Sequence, residues 1–220
     1  MTPLLALLSS AAMKHLLTLL AAVAALGLSA CVSSSAGYSV HAYKPNNPAN
    51  VRVKVSIATQ NIYVMEGDRV LMAVQGCVGE NGKTPMGNHT IFNKIRNKRS
   101  GSFGFDRNGN GADIHHGQSV AVGYPMGFWC EFAPAYGFHE GFVWDIARTH
   151  GCIRMHRQAA ARFFALVRNG TPVNIAHTQP EDATAGRTVR HIDQRNDPDP
   201  SSDRLMSSSY FQDPPGTLLE

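Results

Sequence analysis

Val51-Arg52-Val53-Lys54-Val55-Ser56-Ile57 alternates apolar and polar side chains, the period of a strand with one buried face. A hairpin is expected next. Ile62-Tyr63-Val64-Met65 and Val70-Leu71-Met72-Ala73-Val74 flank the turn Glu66-Gly67-Asp68-Arg69. Two further short strands are expected at 119–123 and 127–132, and Thr171-Pro172-Val173-Asn174-Ile175 reads as a closing strand. One helix is predicted from about His156 to Asn169. There Ala160, Phe163, Phe164 and Val167 recur at helical spacing, Gly170 stops the helix and Pro172 prevents its resumption. The fold class is therefore mainly β, with one main helix.

The remaining segments read as loops or ends. Residues 76–88 and the basic, glycine-bearing stretch Lys94 to Gly111 read as loops, the second as an exposed excursion in which Lys94, Arg96, Lys98 and Arg99 are solvated. Residues 32–50 suit a flexible tether, and 178–220, poor in apolar side chains, reads as a disordered tail. That leaves 51–177 as the folded domain. The chain has 220 residues, 43% of them hydrophobic, enough to bury one ordinary core. Its net charge of +4 is scattered rather than concentrated, so no nucleic-acid partner is called for.

Residues 1–31 have the three regions of an export signal: Lys14 and His15, the apolar run Leu16 to Leu28, and Leu28-Ser29-Ala30-Cys31. The run is short for a membrane span, and Met13 makes a better start than Met1. Leu-Ser-Ala-Cys resembles a bacterial lipoprotein signal, which implies cleavage before Cys31 and lipidation of its thiol. Val32 rather than Asp follows, so the expected location is periplasmic, anchored by lipid to the outer membrane. Cys77, Cys130 and Cys152 then remain, an odd number in a compartment where disulfides form. One thiol is left over, and counting does not say which.

Histidines gather around one of the three. His139 lies thirteen positions before Cys152, His150 two before and His156 four after. A thiol near pKa 8.5 needs a base or cation to act as a nucleophile, and a glycine beside it lets the backbone bend sharply. His115 and His116 match no compact zinc-ligand spacing, so neither a metal nor a cofactor is expected.

Thr149-His150-Gly151-Cys152-Ile153-Arg154-Met155 resembles the signature of the L,D-transpeptidase catalytic domain. The resemblance extends to Tyr136-Gly137-Phe138-His139-Glu140-Gly141, to Pro125-Met126-Gly127-Phe128-Trp129, and to Gly79 with Lys83-Thr84-Pro85-Met86-Gly87. It covers Val51 to about Ile175 and implies a compact β-sandwich or barrel with its helix after Cys152. It also implies Cys152 as nucleophile and His139 as base, with Thr149 and His150 ordering the site and Gly151 lending its backbone to an oxyanion site. Arg154, Trp129 and Tyr136 would meet substrate. The implied substrate is a peptidoglycan tetrapeptide stem, attacked after its third residue with loss of D-Ala, and the thioester then passes to an amine. A monomer is expected. A stem hydrolase or an inactive wall-binding lipoprotein would share the motif, although a pure binder has no use for Cys152, His139 and Arg154 together. Cys77 and Cys130 stand where the family has other residues, and a disulfide between them is one expectation. Trp129, Phe132 and Tyr136 line either groove or core, with Phe132 assigned to core.

Overall fold

The computed structural model describes residues 37–220. The signal segment and Cys31 lie outside the described residues. Ten strands run in one hydrogen-bonded order, β4-β10-β1-β2-β3-β9-β8-β7-β5-β6. The alternation at Val51 becomes β1 (Val51–Ser56), with Val51, Val53 and Val55 buried, and the hairpin becomes β2 (Asn61–Glu66) and β3 (Arg69–Cys77). β10 (Pro172–Ala176) closes on β1 in parallel, and β4 (Gly87–Thr90) pairs outside it.

The second half of the order carries the chemistry-bearing strands. β7 (Val122–Ala133) pairs β8 (Tyr136–Glu140), and β8 runs parallel to the three-residue β9 (Ile153–Met155). β9 is antiparallel to β3 on its other side, so it joins the two halves. Helix α1 (Arg157–Leu166) follows at once, burying Ala159, Ala160, Phe163 and Leu166 against the sheet. It ends three residues before the expected Asn169 because Val167 turns to extended backbone. Lys94 supplies its C-terminal cap, Nζ donating to the carbonyls of Phe164 at 2.7 Å and Val167 at 2.5 Å.

The structure corrects four expectations. Lys94 to Gly111 is no loose excursion: Asn93–Phe105 is β5, paired with β7 along most of its length and with β6 (Gly111–Asp113) at its end. Most of its side chains are exposed or half-buried, so no apolar alternation marked it as a strand. Its basic residues have partners. Arg99 donates to the carbonyls of Leu205, Met206 and Ser207 at 2.9 to 3.0 Å, and Arg96 pairs with Asp213 at 2.6 Å.

Those partners belong to the segment expected to be disordered. Residues 178–220 instead lie against the domain, with a short helix α2 (Ser202–Met206) and Ile192, Leu205 and Phe211 buried. The buried Gln75 side chain binds Ile192 as a peptide group would, donating to its carbonyl at 3.0 Å and accepting from its N–H at 2.8 Å. Few apolar residues are needed where arginines and glutamines grip backbone carbonyls, and hydropathy does not register such bonds. The tether is likewise partly structural. Tyr38, Val40 and Ala42 are buried, Tyr43 N–H donates to Leu71, and Lys44 and Ala42 exchange backbone hydrogen bonds with Glu220. Finally, Cys77 and Cys130 are both buried free thiols, so the disulfide considered for them is absent.

Among the described residues no helix is long and apolar enough to cross a membrane. Phe211 is 8% exposed, with the Arg99 guanidinium 4.9 Å from its ring centre. Phe211→Ala is expected to lower unfolding stability by about 3 kcal/mol, read from urea denaturation. An unchanged midpoint would mean the C-terminal segment does not contribute to the fold.

Candidate active site

Cys152 is held at the entrance to β9 by a backbone close approach. Gly151 has φ +124°, and a Cβ there would fall 2.3 Å from the Tyr136 ring and 2.7 Å from the Lys83 carbonyl. No L side chain fits that conformation or that space. From the other side, a Cβ on Gly79 would fall 2.8 Å from Gly151 Cα. Thr84 bridges the two glycines: its Oγ1 accepts from Gly79 N–H at 2.7 Å and donates to the Gly151 carbonyl at 3.0 Å. Thr149 works from within the loop, its Oγ1 donating to the Cys152 carbonyl at 2.5 Å and accepting from Gly151 N–H at 3.0 Å. The loop is stitched to the segment after β3 by Arg148 and Thr149 N–H on the Val78 carbonyl and by Glu80 N–H on the Thr149 carbonyl.

The Cys152 thiol lies in a cleft of about 590 Å³ that it shares with His139, Arg154, Trp129, Glu131, Tyr136 and His150. Its Sγ donates weakly to the Ala135 carbonyl at 3.7 Å, and Gly137 N–H donates to the sulfur. Burial pushes the thiol's pKa above its usual value, opposed by the Gly137 hydrogen bond and by the positive charge of Arg154. Arg154 itself sits in β9 opposite His139 in β8 and makes no ion pair among the described residues.

His139 is buried in the cleft wall, which together with the nearby Arg154 charge lowers its pKa to about 4. Its Nδ1 lies 2.7 Å from the Glu140 carbonyl. A carbonyl only accepts, so Nδ1 carries the hydrogen and Nε2 holds the lone pair. At neutral pH the two groups are a thiol and a neutral imidazole that line the same cleft. The resting pair is not a thiolate and imidazolium. The Trp129 indole packs over Gly137 and 6.0 Å from the His139 ring.

A family model described as the L,D-transpeptidase catalytic domain, YkuD, matches residues 50–175. The chain belongs to that family. A search of curated proteins finds no match. Among solved structures, the L,D-transpeptidase of Stackebrandtia nassauensis is 16% identical with a TM-score of 0.45, the match covering 63% of this chain and 60% of that one. L,D-transpeptidase 1 of Mycobacterium tuberculosis is 20% identical with a TM-score of 0.42, the match covering 58% and 61%. The L,D-transpeptidase from Xylanimonas cellulosilytica is 17% identical with a TM-score of 0.44, the match covering 64% and 66%. The chain thus spans less than two thirds of the length of each. The mainly β architecture with few helices is that of an L,D-transpeptidase domain.

Within this L,D-transpeptidase domain the residues singled out from sequence take different places. Cys152, His139, Thr149, Arg154, Trp129, Tyr136 and His150 all border one cleft. Gly151 does not offer its N–H to an oxyanion, since Thr149 Oγ1 already takes it. His150 is exposed at the rim and stacks on Phe103 at 5.4 Å, away from any bond to the thiol. Phe132 is core, 3% exposed. His115 and His116 are surface residues, and His116 lies 3.3 Å from Asp113. Several contributors to the cleft and to the surroundings of the thiol escaped the sequence reading. Gly137 acts through its amide, which no side-chain pattern announces. Glu131 was passed over between Cys130 and Phe132, and Asp199 comes from the segment read as a tail.

His156 caps α1 through Nδ1, which accepts from Gln158 N–H at 3.2 Å, and burial lowers its pKa to about 4 as well. Both histidines bind a proton near pH 6.5 in the unfolded chain but only near 4 in the folded one. The stability due to their neutral burial is thus complete above pH 6.5 and is lost as pH falls toward 4. The slope expected per histidine is about 1.4 kcal/mol per pH unit at most. Urea midpoints should fall steadily between pH 6.5 and 4.5, and less steeply for His156→Asn. A flat midpoint over that window would contradict the neutral assignments.

Proposed function

We propose that this domain is a cysteine acyltransferase acting on peptidoglycan tetrapeptide stems. Cys152 sulfur attacks the carbonyl that follows the third residue of the stem, and His139 Nε2 takes the thiol proton. The tetrahedral adduct collapses with cleavage of the C–N bond, His139 returns the proton to the departing amine, and D-Ala leaves. A thioester remains on Cys152. An amine from another stem or a protein then attacks it, forming an amide and restoring the thiol; water in its place gives a carboxypeptidase.

The observation that carries this reading is the Arg154 guanidinium, which lies unpaired in the cleft of the thiol and the neutral imidazole. An unpaired guanidinium suits a carboxylate, such as that of the terminal D-Ala. The Gly137 amide, aimed at the sulfur, favours the thiolate whenever it forms or departs. Tyr136, half-buried in the cleft wall, would hold the apolar parts of the stem, while Trp129, 3% exposed, packs behind it. The three-part signal and Cys31 place the enzyme, in this reading, in the periplasm on a lipid anchor facing the wall.

Intact mass after incubation with a carbapenem, and product analysis with a purified tetrapeptide stem, test the assignment. The native chain should gain one adduct and release D-Ala, and Cys152→Ala should do neither. Undiminished turnover by Cys152→Ala would sink the nucleophile assignment. Arg154→Ala should lower kcat/KM for the stem by ~10- to 100-fold, the cost of one charge-assisted contact. Equal kcat/KM for stems with a free and an amidated terminal carboxylate would count against that contact.

A further inference from the structure

Glu131 lies in the cleft with no evident task in acyl-enzyme formation. Its carboxylate is fixed by three donors: Ala135 N–H at 3.2 Å, Asn93 Nδ2 at 3.2 Å and Trp129 Nε1 at 3.4 Å. Ala135 is also the residue whose carbonyl receives the Cys152 thiol, so the carboxylate and the sulfur flank one turn. No Lys, Arg or His among the described residues pairs with Glu131. Its negative charge also opposes ionisation of Cys152. An oriented, unpaired carboxylate beside a nucleophile that it disfavours calls for a role other than activating that nucleophile.

We propose that Glu131 docks the acceptor substrate as a primary ammonium. The inference rests on the acyltransferase reading and names the residue that holds the amine acceptor, which the reading leaves open. Two opposite charges border the thiol, Arg154 in β9 and Glu131 in β7, and they suit the two partners of a transfer reaction: a carboxylate on the donor and an ammonium on the acceptor. The ammonium gives one proton to His139 Nε2 as its nitrogen reaches the thioester carbon. The new C–N bond forms, the C–S bond breaks, and the nitrogen's second proton neutralises the departing thiolate. The net products are an amide, the Cys152 thiol and one proton released through His139. Water needs no such dock, so Glu131 governs the partition between transfer and hydrolysis.

The test uses the full chain, a tetrapeptide stem donor, and a tripeptide stem acceptor with its side-chain amine either free or acetylated. In Glu131→Gln and Glu131→Ala the acceptor KM should rise ~10-fold or more and the ratio of amide to hydrolysis product should fall with it. D-Ala release without acceptor should fall by less than about threefold, and Glu131→Asp should recover part of the ratio. A partition unchanged by removal of the charge would overturn the docking role. So would parallel loss of D-Ala release and amide formation, which marks Glu131 as a support for the turn alone. Absence of any acyl-enzyme in the native chain would overturn the acyltransferase reading itself, a separate outcome visible by mass before acceptor is added.

Discussion

One hydroxyl holds the site together. Thr84 Oγ1 lies between two backbone strands that approach too closely for any Cβ, receiving one N–H and giving its proton to one carbonyl. Both of its bonds are buried, where an unmet N–H or carbonyl costs about 1–3 kcal/mol, so neither is easily exchanged for water. Through it the loop carrying Cys152 is pinned to the segment leaving β3. β9 continues from that loop for only three residues yet connects the two halves of the sheet order. Position of the thiol and continuity of the sheet thus rest on the same contact.

The electrostatics of the cleft follow from enclosure. A half-buried thiol and a buried imidazole both favour their neutral forms, and Arg154 pushes them in opposite senses, easing ionisation of sulfur while discouraging protonation of His139. The pair therefore stores no charge separation at rest. The Gly137 amide already lies against the sulfur, where it favours the ionised thiol over the neutral one.

Much of this was legible in residue order, and the rest was hidden for identifiable reasons. Val51 to Ile57 announced a strand because one face is buried and the other is not. Thr149 to Met155 singled out the thiol through its resemblance to a family signature, and the contacts of Thr149 and Gly151 explain two of its residue types. β5 was illegible because most of its side chains face solvent, leaving only backbone pairing to define it. The C-terminal segment was illegible for a related reason: Arg99, Arg157 and Arg162 hold it by its carbonyls, at Leu205, Gln212 and Thr217 among others, and any residue type has a carbonyl to offer. Tyr38, Val40 and Ala42 did alternate, but the asparagines and prolines after them masked the signal.

The pairing of Ala42 and Lys44 with Glu220 has a mechanical meaning. A pull applied at residue 37 loads this backbone clasp, and the bond from Tyr43 to Leu71, before it can reach the contact between Thr84 and Gly151. Tension along the N-terminal segment is thereby taken up by the clasp and β3 before it reaches the cleft.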